Sequence, residues 1–346
     1  MPIHILIQGN KMIQKVIKSL SSDLIEVQKI INHETSQCHS KLLQEILDHT
    51  FHVKGKLLRP ILHLACCHLI ETKDKSSFHK IAAGLEILHT ASLIHDDIID
   101  NGELRRGIET VHKKWGLAEA TLLGDWLLSK SFHIITHNNP NSCNTIMSQL
   151  TCELVEGQYL EIEYNQQSAQ TLSYIESQYL KMIDLKTGSI FRAACNLAIV
   201  CHDSFTPKQI KSLNQYASDF GTLFQIVDDL IDFDGDSNYY GKTTGYDVIN
   251  GLITLPVMNA IKYQEKNGQE SSILNAFNQK NYNFLKSDLK TNVFATNAIE
   301  TTISSIHQLK NKCFQNLECF NDNLGKNILE DLVSYTISRI PNSLTL

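Results

Sequence analysis

Two groups of carboxylates stand out because each repeats the spacing D-D-x-x-D inside an apolar stretch: His95-Asp96-Asp97-Ile98-Ile99-Asp100 and Gln225-Ile226-Val227-Asp228-Asp229-Leu230-Ile231-Asp232. At 3.6 residues per turn, Asp96 and Asp100 stack on one helix face with Asp97 beside them, and Asp228, Asp229 and Asp232 repeat the geometry. Carboxylates crowded this closely repel one another, and apolar surroundings screen them poorly, so something cationic belongs there. Hard oxygen ligands favour magnesium, which keeps part of its water and is usually completed by substrate phosphates. One such motif is no better evidence than a solvated helix end. Two copies, each in an apolar helix and each followed by glycine and basic residues, suit a diphosphate.

A diphosphate also needs cations, and the chain offers several groups. Gly55-Lys56-Leu57-Leu58-Arg59-Pro60 pairs a glycine that allows close backbone approach with two cationic side chains. Arg105-Arg106-Gly107 follows the first acidic group, and arginine's planar fork matches phosphate oxygens. Lys186-Thr187-Gly188 and, past the second acidic group, Gly241-Lys242 complete the set. Taken singly, each is more often a surface charge. His89 lies seven residues before Asp96, two turns along the same face, so it points where the carboxylates point.

These residues must be held by helices. Apolar residues recur at three- and four-residue spacing, as in Leu57, Ile61, Leu64, Ala65 and Leu69, and strand-like alternation is scarce. Prolines at 2, 60, 140, 207, 256 and 341 fall at termini, loops or first helical turns. Long helices are expected over about 75–100, 116–137, 143–165, 171–201 and 207–234, which describes an all-α protein built as a large helical bundle. No linker-like stretch divides the 346 residues, so a single domain over 1–346 is expected.

Bulk properties narrow the partners. Net charge is −6 with scattered Lys and Arg, which leaves no electrostatic footprint for nucleic acid. The nine cysteines lack zinc-site spacing: Cys66 and Cys67 are adjacent, whereas Cys195/Cys201 and Cys313/Cys319 are too far apart. A reduced, cytoplasmic chain is the expectation. Residues 1–15 do not read as a signal peptide, and no apolar run approaches the roughly 20 residues of a membrane-spanning helix.

Taken in order, G-K-x-x-R-P, E-x-x-H-T-A-S-L-I-H-D-D-I-I-D, R-R-G, G-D-W-L-L, K-T-G, F-Q-I-V-D-D-L-I-D, G-K and T-L-P resemble the trans-polyprenyl diphosphate synthases between Gly55 and Pro256, most of all medium- and long-chain members such as octaprenyl diphosphate synthase. The resemblance implies a bundle of the isoprenoid synthase type, a homodimer, and an active-site cavity between the two acidic helices. It implies Mg2+, three ions once diphosphate is bound, held mainly by Asp96, Asp100 and Asp228 with Asp97, Asp229 and Asp232 in support. Lys56, Arg59, His89 and Arg106 resemble an isopentenyl diphosphate site, and Arg105, Lys186, Thr187, Gln225 and Lys242 an allylic diphosphate site. The implied reaction ionises the allylic diphosphate, adds the double bond of isopentenyl diphosphate to the cation, and loses a proton. Ala91 and Ser92 are small where short-chain members carry an aromatic, which implies a C30 to C40 product, such as a quinone side chain, with Phe132 as floor. Two positions depart from the pattern: Lys54 replaces a common glycine and Leu252 a frequent lysine, the latter removing one diphosphate contact. A terpene cyclase of the same fold is the main rival, but it has no use for Lys56, Arg59 and His89. A regulatory subunit of a heteromeric synthase is the other, but it would tolerate decay of the acidic groups.

Overall fold

The computed structural model describes residues 11–53, 55–70, 75–137, 140–166, 171–201, 204–234, 252–281, 284 and 287–344. Helices dominate, as the periodicity predicts. The described elements run α1 (Lys11–Ser19), α2 (Ser21–Thr35), α3 (Lys41–His52), α4 (Leu58–Cys67), α5 (Ser76–Ile99), a two-strand ribbon β1 (Leu104–Arg105) and β2 (Ile108–Glu109), α6 (Val111–Lys114) and α7 (Leu117–Thr136). They continue with α8 (Pro140–Gln166), α9 (Leu172–Ile183), a π turn (Asp184–Gly188), α10 (Ser189–Val200), α11 (Pro207–Asp234), α12 (Leu255–Lys266), α13 (Ser272–Asn278), α14 (Leu289–Phe294), α15 (Ala298–Leu317) and α16 (Leu324–Ile337). Pro140 and Pro207 open α8 and α11, and Pro256 is the second residue of α12, where a missing amide proton costs nothing. The stretch expected as one helix over 171–201 is a helix, a π turn and a helix.

The chain groups into two compact units, each assembled from separate stretches. Unit 1 comprises 1–149, 193–210 and 319–332; unit 2 comprises 150–192, 211–318 and 333–346. In unit 1, α5 is apolar around most of its circumference, burying Phe78, Ile81, Ala82, Leu85, Ile87, Leu88, Ala91 and Ile94, so it lies inside the unit against α2, α4 and α7. Small residues set the α5–α7 approach: a side chain on Gly84 would begin 2.4 Å from Ile135 Cγ1, and one on Gly124 would collide with the His95 ring. A buried carboxylate, Asp23 on α2, bridges His68 Nε2 at 2.9 Å and His79 Nε2 at 2.8 Å. In unit 2, α11 packs an aromatic ladder of Tyr216, Phe220 and Phe224 around Phe191, with ring centroids 5.2 to 6.3 Å apart. There α12 rests on α15, and Asn259 Nδ2 donates to Thr302 Oγ1 inside the contact at 2.9 Å.

Candidate active site

The first acidic group occupies the last turn of α5. Asp100 caps the helix, its amide donating to Asp96 O at 2.8 Å, and Asn101 takes the left-handed conformation (φ 50°) that ends it, so Gly102 N reaches back to Asp97 O at 2.9 Å. The three carboxylates then separate in role. Asp96 is half-buried and Asp100 exposed, whereas Asp97 is 8 % exposed. Both Asp97 oxygens accept from Arg105, at 2.8 and 2.7 Å from Nε and 2.6 Å from Nη2.

Arg105 and Arg106 stand on the ribbon, which closes through a two-residue turn with positive φ at both Arg106 (52°) and Gly107 (81°). Such a turn requires left-handed conformations, which explains the glycine of R-R-G. The ribbon is pinned at its base by Thr110 Oγ1 to Gly102 O at 2.6 Å and against α3 by His49 Nε2 on Glu109 O at 2.8 Å. Arg106 Nη1 reaches Val53 O at 3.2 Å. Leu57, inside G-K-x-x-R-P, is also left-handed (φ 53°), a conformation a buried leucine adopts at a cost and one that sets Lys56 and Arg59 on either side of the bend. Burial, then the charges of Arg59, Arg106 and Arg105, push the His89 imidazole well below its usual range, so it offers a neutral ring. A cavity of about 80 Å³ opens here, bordered by Gly55, Glu86, Thr90, Asp97, Arg105 and Arg106.

The second acidic group repeats this division in unit 2. Asp228 and Asp232 are partly exposed, one turn apart on α11, while Asp229 is 2 % exposed. Asp229 accepts from the buried Tyr179 hydroxyl and, at 2.8 Å, from Gln225 Nε2. Burial pushes its carboxyl up to about 7 against those two hydrogen bonds, and Asp228 and Asp232 push the same way. Gln225 Oε1 in turn accepts from Thr187 Oγ1 at 2.7 Å, so K-T-G and the second D-D-x-x-D form one polar chain. The π turn makes this meeting by carrying Gly188 onto Gly221, where a side chain would begin 2.9 Å from Gly188 Cα. Lys186 pairs with Glu161 on α8, and Arg339 Nη2 donates to Asp228 Oδ1 at 2.6 Å.

Lys242 lies outside the described residues, and Leu252, in place of the frequent lysine, is buried. Sequence reasoning gave no role to Glu86, although the E-x-x-H motif opens on it, nor to Tyr179, Glu161 and Arg339. Glu86 had a readable signal, a lone carboxylate in an apolar stretch; Arg339 had none, being 111 positions from its partner.

As cation ligands, the accessible pairs Asp96/Asp100 and Asp228/Asp232 fit a hard ion. Among the described residues no group of three His, Cys, Asp or Glu side chains is placed to hold a metal ion by itself. Residues 40–291 match the family described as polyprenyl synthetase. The chain belongs to that family. Its relatives include all-trans-nonaprenyl-diphosphate synthase (geranyl-diphosphate specific) of Rhodobacter capsulatus, 30% identical over 75% of this chain and 78% of that one. Heptaprenyl diphosphate synthase component 2 of Bacillus subtilis (strain 168) is 29% identical over 94% of this chain and 91% of its own. Among solved structures, polyprenyl synthase from Caulobacter crescentus CB15, complexed with calcium and isoprenyl diphosphate, superposes with a TM-score of 0.83 at 25% identity, covering 96% of this chain and all of that one. The all-α isoprenoid synthase fold expected from the motifs is therefore the fold of this polyprenyl synthetase.

Proposed function

We propose that the chain is a trans-polyprenyl diphosphate synthase, joining isopentenyl diphosphate head to tail to an allylic diphosphate and yielding a medium or long product. The observation that carries this reading is the division of each D-D-x-x-D into an accessible i,i+4 pair and a buried, hydrogen-bonded middle carboxylate. That division gives a helix two ligands for a cation and one anchor that stops them from moving. Asp96, Asp100, Asp228 and Asp232 would hold magnesium, with Asp97 and Asp229 fixing the helix faces that present them. When bound, magnesium supplies the positive charge that a departing diphosphate needs.

The remaining roles fall to the chain's own groups. Lys56, Arg59 and Arg106, with neutral His89 as a hydrogen-bonding partner, bind the diphosphate of isopentenyl diphosphate. Lys186, Lys242 and Arg105 favour the negative charge growing on the allylic leaving group. Thr187 and Gln225 orient dipoles toward the cationic carbon, and the apolar helix faces keep water from it. No side-chain nucleophile is required.

The expected C30 to C40 product and a homodimer belong to the same proposal, as do a single domain over 1–346, three magnesium ions and a cytoplasmic location. Ala91 and Ser92, just before the first acidic group on α5, are small where short-chain members of the family carry an aromatic. Ala91→Phe should therefore shorten the product. Leu117 and Leu122 stand 61 and 68 % exposed on α7, apolar surface that a second copy would cover. No described helix is long and apolar enough to cross a membrane. Incubation of purified protein with isopentenyl diphosphate, an allylic primer and magnesium, followed by sizing of dephosphorylated products, tests the reading. Chain-elongated products that vanish with a chelator are expected, and no elongation from any primer would overturn it. A heteromeric component, as in the Bacillus relative, would give elongation only after a second protein is added.

A further inference from the structure

We propose that Glu86 is the positioning residue of the isopentenyl diphosphate site, a buried counter-charge that gathers the guanidinium groups of Arg59 and Arg106 before substrate arrives; this presupposes the prenyltransferase reading above. Glu86 is 7 % exposed on α5, between Leu85 and Ile87, which are fully buried. A carboxylate placed there is costly unless cations meet it. Two guanidinium charges act on it from separate elements, Arg59 from the first turn of α4 and Arg106 from the tip of the ribbon. Burial pushes the Glu86 carboxyl up, and those two guanidinium groups pull it back.

The meeting point is fixed by Gly55. A side chain there would begin 2.8 Å from Arg106 Nη2, 3.1 Å from Arg106 Nη1 and 3.1 Å from Glu86 Oε1. The glycine of G-K-x-x-R-P thus leaves the space in which the Arg106 head group and the Glu86 carboxylate approach each other. The other carboxylate nearby, Asp97, already has both oxygens on Arg105. His89, one turn beyond Glu86 on the same side of α5, is kept neutral and adds no charge. Without Glu86, the Arg106 guanidinium would share the cavity wall with Arg105 and no carboxylate of its own to order it, and the cost of fixing that long side chain would fall on substrate binding. The carboxylate meets that cost in the folded protein, and it need not touch the diphosphate.

The test compares wild type with Glu86→Gln, Glu86→Asp and Gly55→Ala. Titration calorimetry with isopentenyl diphosphate alone establishes whether the wild type binds it; no binding would sink the functional reading and Glu86 with it. Given binding, Glu86→Gln should raise the KM for isopentenyl diphosphate about tenfold while leaving the KM for the allylic primer within about twofold and kcat within about threefold. Glu86→Asp, which keeps the charge, should recover most of the loss. Gly55→Ala should reproduce the KM split without lowering the melting temperature, because its methyl presses on the side-chain ends of Arg106 and Glu86 and on no backbone atom among its nearest neighbours. A Glu86→Gln enzyme with unchanged KM, or one in which both KM values and the melting temperature shift together, would overturn the proposal.

Discussion

Adjacent aspartates in each acidic group have opposite surroundings, and substitution should separate them. Asp96→Ala removes a half-buried carboxylate at the end of α5, so condensation should disappear while the urea midpoint shifts little. Asp97→Asn strips the half-buried Arg105 guanidinium of its counter-charge, at a cost of about 1 to 3 kcal/mol; that variant should lose stability as well as turnover. Equal midpoints for the two would defeat this division of labour. Tyr179→Phe is the matching test on α11: with its hydroxyl gone, Asp229 loses one of two donors at a cost of about 1 to 3 kcal/mol. The residue types were legible from the start, since D-D-x-x-D in an apolar helix names carboxylates that must face something positive. Which member of each group turns inward was not, because that depends on Arg105 eight positions on and Tyr179 fifty positions back.

Elements were legible to the extent that their signals are local. Apolar periodicity and helix-opening prolines located α5, α7, α8 and α11 within a few residues, because the period of a buried face and the missing amide of proline act over a single turn or two. The π turn escaped, since nothing in Asp184-Leu185-Lys186-Thr187-Gly188 announces an extra residue per turn; it accompanies the tight seat of Gly188 on Gly221, a contact made far along the chain. The ribbon escaped for the opposite reason, as two strands of two residues are too short to show alternation. The α5–α7 contact yields a direct test at this scale. Gly84→Ala places a methyl 2.4 Å from Ile135 Cγ1 and should cost about 1 to 3 kcal/mol by overpacking. Ile135→Val in the same chain should return part of that loss, and a double-mutant cycle with no coupling would show that the helices simply move apart.

For the molecule as a whole, acid sensitivity follows from Asp23. Burial alone would raise its carboxyl, but hydrogen bonds from His68 and His79 and the His68 charge outweigh burial and hold it well below the usual carboxylate range. A group depressed on folding stabilises fully above its unfolded pKa, near 4, and that support drains away as pH falls toward the folded value. Urea midpoints should therefore drop between about pH 5 and about pH 3 in wild type and drop less steeply in Asp23→Asn; parallel slopes would remove Asp23 from the account. Sedimentation should give a dimer that Leu122→Glu weakens, given how much apolar surface α7 leaves uncovered. The interleaving of the two units has a further effect during synthesis. Unit 1 needs residues 319–332 and unit 2 needs 333–346, so neither can be completed until almost the whole chain has left the ribosome. The nascent polypeptide must carry α4, buried from Pro60 to Cys67, through most of translation before Gly325 seats against Ala65 and His68, so its biogenesis should depend on chaperones that bind such segments, and severing the gene into two contiguous halves should yield aggregates rather than two folded pieces.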